Sequence, residues 1–171
     1  MSNIRRARSD ELVAVQTIGL RAGERFREID DERIARCADD PPFALDELAA
    51  IQAAGRLLVA VDEGRLVGFV VFEALDGCAH VEEVSVVPEA EGRGHGTALL
   101  DAVGAWGTQA GLDGVTLTTF AEVPWNRPYY ERRGFRVLTD DELTPALRAR
   151  RVAEAAQGLL PELRVVMRRD R

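Results

Sequence analysis

The stretch Val84–Leu100, VSVVPEAEGRGHGTALL, decides how the rest of the chain reads. It opens as a β-branched apolar strand and reaches Pro88. A short polar turn then enters the glycine run Gly92-Arg93-Gly94-His95-Gly96. From Thr97 the apolar residues Leu99, Val103, Trp106 and Ala110 recur at helical spacing, which predicts a helix opening there. Strand, glycine loop and helix start together suit a phosphate. Glycines let backbone N–H groups converge, and the first helical turn offers unpaired donors at the positive end of a dipole. Arg93 adds a fixed positive charge.

Two common phosphate loops are excluded. No Lys-Ser or Lys-Thr follows the last glycine, so the Walker pattern is absent. A dinucleotide loop wants a third glycine at position 99, where Leu99 stands. A second motif lies downstream: Tyr130, three residues, then Gly134-Phe135, within AEVPWNRPYYERRGF (121–135). Loop and motif, in this order, resemble the GNAT superfamily of N-acyltransferases. Its loop reads Arg or Gln, two residues, Gly, one residue, Gly or Ala; Gly94 and Gly96 fall on the two small positions. Glu91 stands where the family has Arg or Gln, which removes a donor near the pyrophosphate. Asn126 lies closer to the tyrosine than in the commonest version.

The resemblance covers residues 4 to about 138 and implies an α/β (α+β) fold. Its mixed, mostly antiparallel central sheet would have six to seven strands, flanked by helices. Read in order, the chain predicts a strand at 4–8 and a helix from Ser9 as N-cap to about Arg27. Weak helical patterns follow, broken by Asp39-Asp40-Pro41-Pro42 and resuming over 43–54. Strands are expected at 57–61, 66–75 and 79–87, joined by turns at Asp62–Arg65 and Asp76-Gly77. Gly111 would close the long helix, before a strand at 115–120. A short helix starts near Asn126, and a strand runs from Phe135 to about Leu138. A helical insertion at about 140–158, capped by Thr144 and started by Pro145, precedes a last strand at about 163–168. No repeat, linker or low-complexity segment divides the 171 residues, so a single domain is expected over 1–171.

Composition narrows the function classes. A net charge of -7 disfavours a general nucleic-acid binder and is compatible with a cationic substrate. No run approaches transmembrane length, and the first residues, MSNIRRARSDE, have no apolar signal core. Cys37 and Cys78 lie far apart, and the two histidines form no zinc pattern. A reduced cytoplasmic protein is expected, with no metal, no membrane and no nucleic-acid partner.

The resemblance also implies roles. Acetyl-CoA would be the cosubstrate, held by Val84, Val86, Val87, Gly92, Arg93, Gly94, His95, Gly96, Thr97, Asn126 and Tyr130. Related acyltransferases place a Glu or His base at positions matching His80 and Glu82. Alternation puts these two on one face of their strand and Glu83 on the other, so Glu83 becomes the base only if a bulge inverts the faces. Tyr130 would protonate the departing thiolate, and backbone N–H groups near Val86 would receive the oxyanion. Phe26 and Phe43 fall in the segment that borders the acceptor entrance in similar proteins. Arg148, Arg150 and Arg151 lie on the insertion, which also borders that site, and would face an anionic part of a substrate or simply solvent. The expected activity is acetylation of a small-molecule primary amine by direct attack in a ternary complex. The alternatives are a protein or peptide acceptor, or a non-catalytic acetyl-CoA sensor. Similar proteins commonly form homodimers, and no apolar stripe in this sequence marks such a face.

Overall fold

Strand β1 (Asn3–Arg6) leads through a 3-10 turn at Ser9–Glu11 into helix α1 (Leu12–Gly23), in a computed structural model that describes residues 3–171. The expected Ser9 cap is not what starts this helix. Its N-cap residue is Glu11, which makes no side-chain capping bond; that carboxylate instead braces the turn ahead of the helix, accepting the Arg8 backbone N–H at 2.8 Å and two Arg5 guanidinium N–H groups at 2.7 and 2.8 Å. The predicted extension of α1 to Arg27 becomes a 3-10 turn over Glu24–Glu28, consistent with the poor helix propensity of Gly23. Asp31 caps the short helix α2 (Glu32–Ala35), its side chain accepting the Arg33 N–H. Beyond the Pro41-Pro42 break comes α3 (Leu45–Ala53).

Strands β2 (Leu57–Asp62), β3 (Arg65–Leu75) and β4 (Cys78–Val86) follow. Helix α4 (His95–Gln109) begins two residues earlier than its apolar spacing suggests. The Gly94 carbonyl already accepts the Ala98 N–H at 3.0 Å, which draws His95 and Gly96 into the first turn. Then come β5 (Gly114–Phe120), α5 (Arg127–Glu131), β6 (Arg136–Val137), α6 (Pro145–Ala156) and β7 (Arg164–Asp170).

The seven strands form one sheet in the order β1-β2-β3-β4-β5-β7-β6. Pairings β1–β2, β2–β3, β5–β7 and β6–β7 are antiparallel. Strands β4 and β5 pair in parallel through Ala79–Val115, His80–Thr116 and Val81–Leu117, as a strand–helix–strand crossover through α4 requires. The expected mixed, mostly antiparallel sheet is therefore observed, and α6 lies between the last two strands in sequence, as predicted.

Contacts divide the chain into two compact units. One runs to Phe72 and resumes over Glu83–Ala102; the other comprises Glu73–Glu82 and Val103–Arg171. In the first, Val15 and Ile18 of α1 pack with Leu48 of α3 on Leu57, Phe69 and Val71. Here β3 passes close to β4. A Cβ at Gly68 would lie 2.8 Å from the Ser85 carbonyl oxygen, so glycine is the residue that fits. In the second unit Leu138, Leu143, Leu147 and Val166 form a small core with Leu75.

Candidate functional site

The glycine loop belongs to the first unit. Gly92 and Gly94 have φ of +73° and +87°, in the left-handed region that glycine occupies without strain. A Cβ at either would meet no heavy atom within 4 Å, so the loop faces open space. The N–H groups of Gly94 and Gly96 lie ahead of the Ala98–Gly94 bond and are the orphan donors of a helix start. With α4 fifteen residues long behind them, these donors and the open space fit a pyrophosphate.

The charges around this loop arise from tertiary contacts. Arg93 donates to Asp62 at 3.0 Å, and the buried His95 has its Nε2 3.5 Å from the same carboxylate. Glu91 is met by Arg25 at 2.8 Å, and Glu89 by Arg21 at 2.9 and 2.8 Å. Sequence reasoning gave Asp62 only to a hairpin turn and overlooked Arg21 and Arg25. Their four-residue spacing faces two acids two residues apart, and only the folded chain brings the two pairs together. Thr97 is half-buried in the first turn of α4.

Upstream, Val84 and Val86 are half-buried and Val87 is buried, its N–H donating to the Val67 carbonyl at 2.9 Å. Glu83 and Ser85 touch, Ser85 Oγ donating to Glu83 Oε1 at 2.7 Å, as same-face neighbours on a strand do. Burial pushes the Glu83 carboxyl above its ordinary value, and the Ser85 hydrogen bond partly opposes this. Phe43 packs on the core while its carbonyl accepts from Gln16 at 2.8 Å; Phe26 is half-buried in the 3-10 turn after α1.

The second unit holds the remaining candidates. His80 is 2% exposed, and its Nδ1 lies 3.0 Å from Thr116 Oγ1, its register partner on β5. Burial lowers its pKa to about 4, so it is neutral at pH 7. Glu82 shares Arg150 with Glu73: the guanidinium contacts Glu73 and lies 3.6 Å from Glu82. The α6 insertion thus brings Arg150 to the sheet. Arg148 instead bonds the Leu143 and Asp140 carbonyls and Arg151 the Pro161 carbonyl, so both brace the insertion itself.

Asn126 is the N-cap residue of α5, as placed from sequence. Its backbone carbonyl accepts the Tyr130 N–H at 3.1 Å, while its side chain makes no capping bond. Tyr130 is half-buried, edge-on to Tyr129 at 5.2 Å and to Phe135 at 5.7 Å. Its carbonyl takes the Arg133 and Phe135 N–H groups at 2.9 and 3.2 Å, while Gly134 turns at φ +82°. The spacing of the second motif is thereby explained: three residues and a glycine return the chain so that Phe135 packs on the tyrosine. Among the described residues, no group of three or more His, Cys, Asp or Glu side chains has metal-ligand geometry. Nor, among them, is any helix long and apolar enough to cross a membrane.

The sequence profile of the acetyltransferase (GNAT) family matches residues 23–135, which include both motifs. The chain is 40% identical over 75 residues to a mycothiol acetyltransferase of Nocardiopsis dassonvillei. That match covers 44% of this chain and spans about a fifth of that relative's length, 22%. Among solved structures, the fold is similar to the PaiA N-acetyltransferase of Thermoplasma acidophilum in complex with coenzyme A. The TM-score is 0.72 at 14% identity, over 100% of this chain and 99% of the other. It is also similar to N-acetylglutamate synthase of Neisseria gonorrhoeae, complexed with coenzyme A and N-acetyl-glutamate. There the TM-score is 0.73 at 17% identity, over 99% of this chain and 35% of that one.

Proposed function

The chain belongs to the GNAT acetyltransferase family, and on that premise we propose that it moves an acetyl group from acetyl-CoA to the primary amine of a small molecule. The observation that carries this reading is the glycine loop at the start of α4, open on its outer side and lying inside the matched region. The residues around it fit a coenzyme. N–H groups of Gly94 and Gly96 would bind pyrophosphate oxygens, and Arg93 would exchange Asp62 for a phosphate. Bound there, acetyl-CoA supplies an activated acyl carbon and a thiolate leaving group.

The remaining chemistry falls to side chains and backbone of this chain. An alkyl ammonium of pKa near 10.4 is neutral in roughly one molecule in 2,500 at pH 7, so the acceptor must lose a proton before it attacks. The ionisable residues of β4, among them His80 and Glu82, are the candidates for that task. Backbone N–H groups near Val86 would stabilise the carbonyl oxygen as it gains charge. Tyr130, ordinarily near pKa 10, would return a proton to a thiolate of ordinary pKa near 8.5.

Glu91 favours one second reading, a sensor that binds the coenzyme without turnover, because it puts a carboxylate where the family has a donor. Thermal unfolding with acetyl-CoA, with NAD as control, tests binding; thiol release over a panel of amines tests turnover. At 100 times its dissociation constant a ligand adds about 2.7 kcal/mol of stability. A shift with amine-dependent thiol release supports the transferase, and a shift without release supports the sensor. No shift with saturating acetyl-CoA refutes both.

A further inference from the structure

Three arginines stand at the glycine loop, and each lies on a carboxylate. Arg93 is on Asp62 at the end of β2, Arg21 of α1 is on Glu89, and Arg25, in the 3-10 turn after α1, is on Glu91. The last two pairs differ in place. Glu89 lies inside the 3-10 turn Pro88–Ala90, whereas Glu91 directly precedes Gly92. Gly92 turns at φ +73°, and a Cβ there would meet no heavy atom within 4 Å, so a ligand can come up to this point of the loop. Position 91 has no donor of its own to offer it. The side chain is a carboxylate, and the backbone N–H is given to the Pro88 carbonyl at 3.2 Å. A donor is brought there from another element: the Arg25 guanidinium, 2.8 Å from Glu91 Oε1 and 31% exposed.

The charges require such a group. Asp62, Glu89 and Glu91 place three carboxylates about a loop to which the coenzyme brings a diphosphate, and like charges repel. Arg93 by itself does not offset them. A guanidinium that leaves a carboxylate oxygen for a phosphate oxygen keeps a charge-assisted hydrogen bond of the same kind, and its planar fork suits phosphate.

We propose that Arg25 is a ligand of the coenzyme diphosphate, exchanging Glu91 for a phosphate oxygen at the Gly92 side of the loop. This rests on the coenzyme-binding part of the reading above and holds with or without turnover. Without coenzyme, Glu91 keeps the guanidinium at the loop; with coenzyme, it competes with the phosphate for the same donor. Arg21, joined to Glu89 by two hydrogen bonds away from the glycines, keeps its partner.

The test is calorimetric titration of coenzyme A into wild type, Arg25→Gln, Glu91→Gln and the double variant. Arg25 lies at the surface, where a substitution of this kind costs little stability. A ligand role predicts that removing Arg25 weakens binding about 5- to 10-fold at low salt, both with Glu91 present and in the Glu91→Gln variant. If Arg25 only cancels the charge of Glu91, the double variant binds as tightly as Glu91→Gln alone, and that result overturns the proposal. The loss in the double variant should shrink as salt is added; a loss that salt leaves unchanged marks a structural effect and overturns it too. Arg21→Gln removes the neighbouring ion pair and should leave affinity within about two-fold of wild type. An equal loss in Arg21→Gln and Arg25→Gln would mean that the pairs merely hold α1 in place, which refutes the assignment. Wild type that does not bind coenzyme A overturns the coenzyme reading itself, and this proposal with it.

Discussion

His80 makes acid sensitivity a quantitative consequence of burial. The unfolded chain titrates this imidazole near 6.5, whereas the folded protein holds it at about 4 because charging it would strand a cation beside Thr116 in the sheet. A depressed pKa contributes stability that is complete above 6.5 and is lost as the pH falls toward 4. Once the pH has fallen below both values, the loss is roughly 3 kcal/mol. Between pH 7 and pH 5 the unfolded state takes up most of a proton at this site and the native state almost none, which costs roughly 2 kcal/mol. Against the 5–15 kcal/mol typical of a domain, that is measurable.

Urea unfolding of wild type and His80→Gln at pH 7 and pH 5 isolates the effect. Wild type should lose roughly 2 kcal/mol more than the variant between the two conditions. Only two histidines are present, so imidazole NMR resolves His80 from His95 directly. A His80 resonance titrating near 6.5, or equal pH dependence in both proteins, refutes the argument. The same depression has a kinetic corollary: a limb near pH 6.5 in the kcat/KM profile would not originate at His80.

Glu11 makes the complementary case for a paired acid. Hydrogen bonds from Arg5, reinforced by the Arg8 backbone N–H, hold its carboxyl at about 2. Its contribution is present above about pH 4.5 and is lost as pH falls through 2. Glu11→Gln should therefore cost about 3 kcal/mol at pH 7 and far less at pH 2.5, as read by denaturant unfolding. Gly68→Ala would press a methyl to 2.8 Å from the Ser85 carbonyl and 3.1 Å from Val86, and should cost about 1–3 kcal/mol. A loss under about 0.5 kcal/mol would show that β3 and β4 part freely there. Glu91→Gln removes a negative charge beside the loop and the ion pair it makes with Arg25. Coenzyme A should bind roughly three-fold tighter at low salt, with the gain fading as salt rises, in a calorimetric titration. Tyr130→Phe keeps the edge-on ring contacts and removes only the hydroxyl, so kcat should fall about 10- to 100-fold. Unchanged kcat would remove Tyr130 from the acid role.

The strands, the loop and the helix that follows it were legible in the order of residues because they depend on local pattern, whereas the arrangement of the sheet was implied by the family resemblance. Alternating β-branched runs specify strands, and Gly92 and Gly94 specify left-handed turns. The Tyr130–Phe135 spacing encodes a single return of the chain. Helix ends were less legible, because a cap depends on which way one side chain turns. Ser9 reads as a cap, yet α1 begins only after a 3-10 turn over Ser9–Glu11, whose Glu11 carboxylate is turned back to Arg8 and Arg5. The partner of each charge, by contrast, was settled by the fold. Nothing in the order of residues says that Arg25 answers Glu91, that Arg93 rests on Asp62, or that Arg150 on the insertion lies beside Glu82. Nor does it say that, among the described residues, no cation meets Glu83 while its neighbour has one. Charge pairing is a matter of a few ångströms between groups as far apart in the chain as Glu73 and Arg150, and side-chain type along a strand carries no record of such distances.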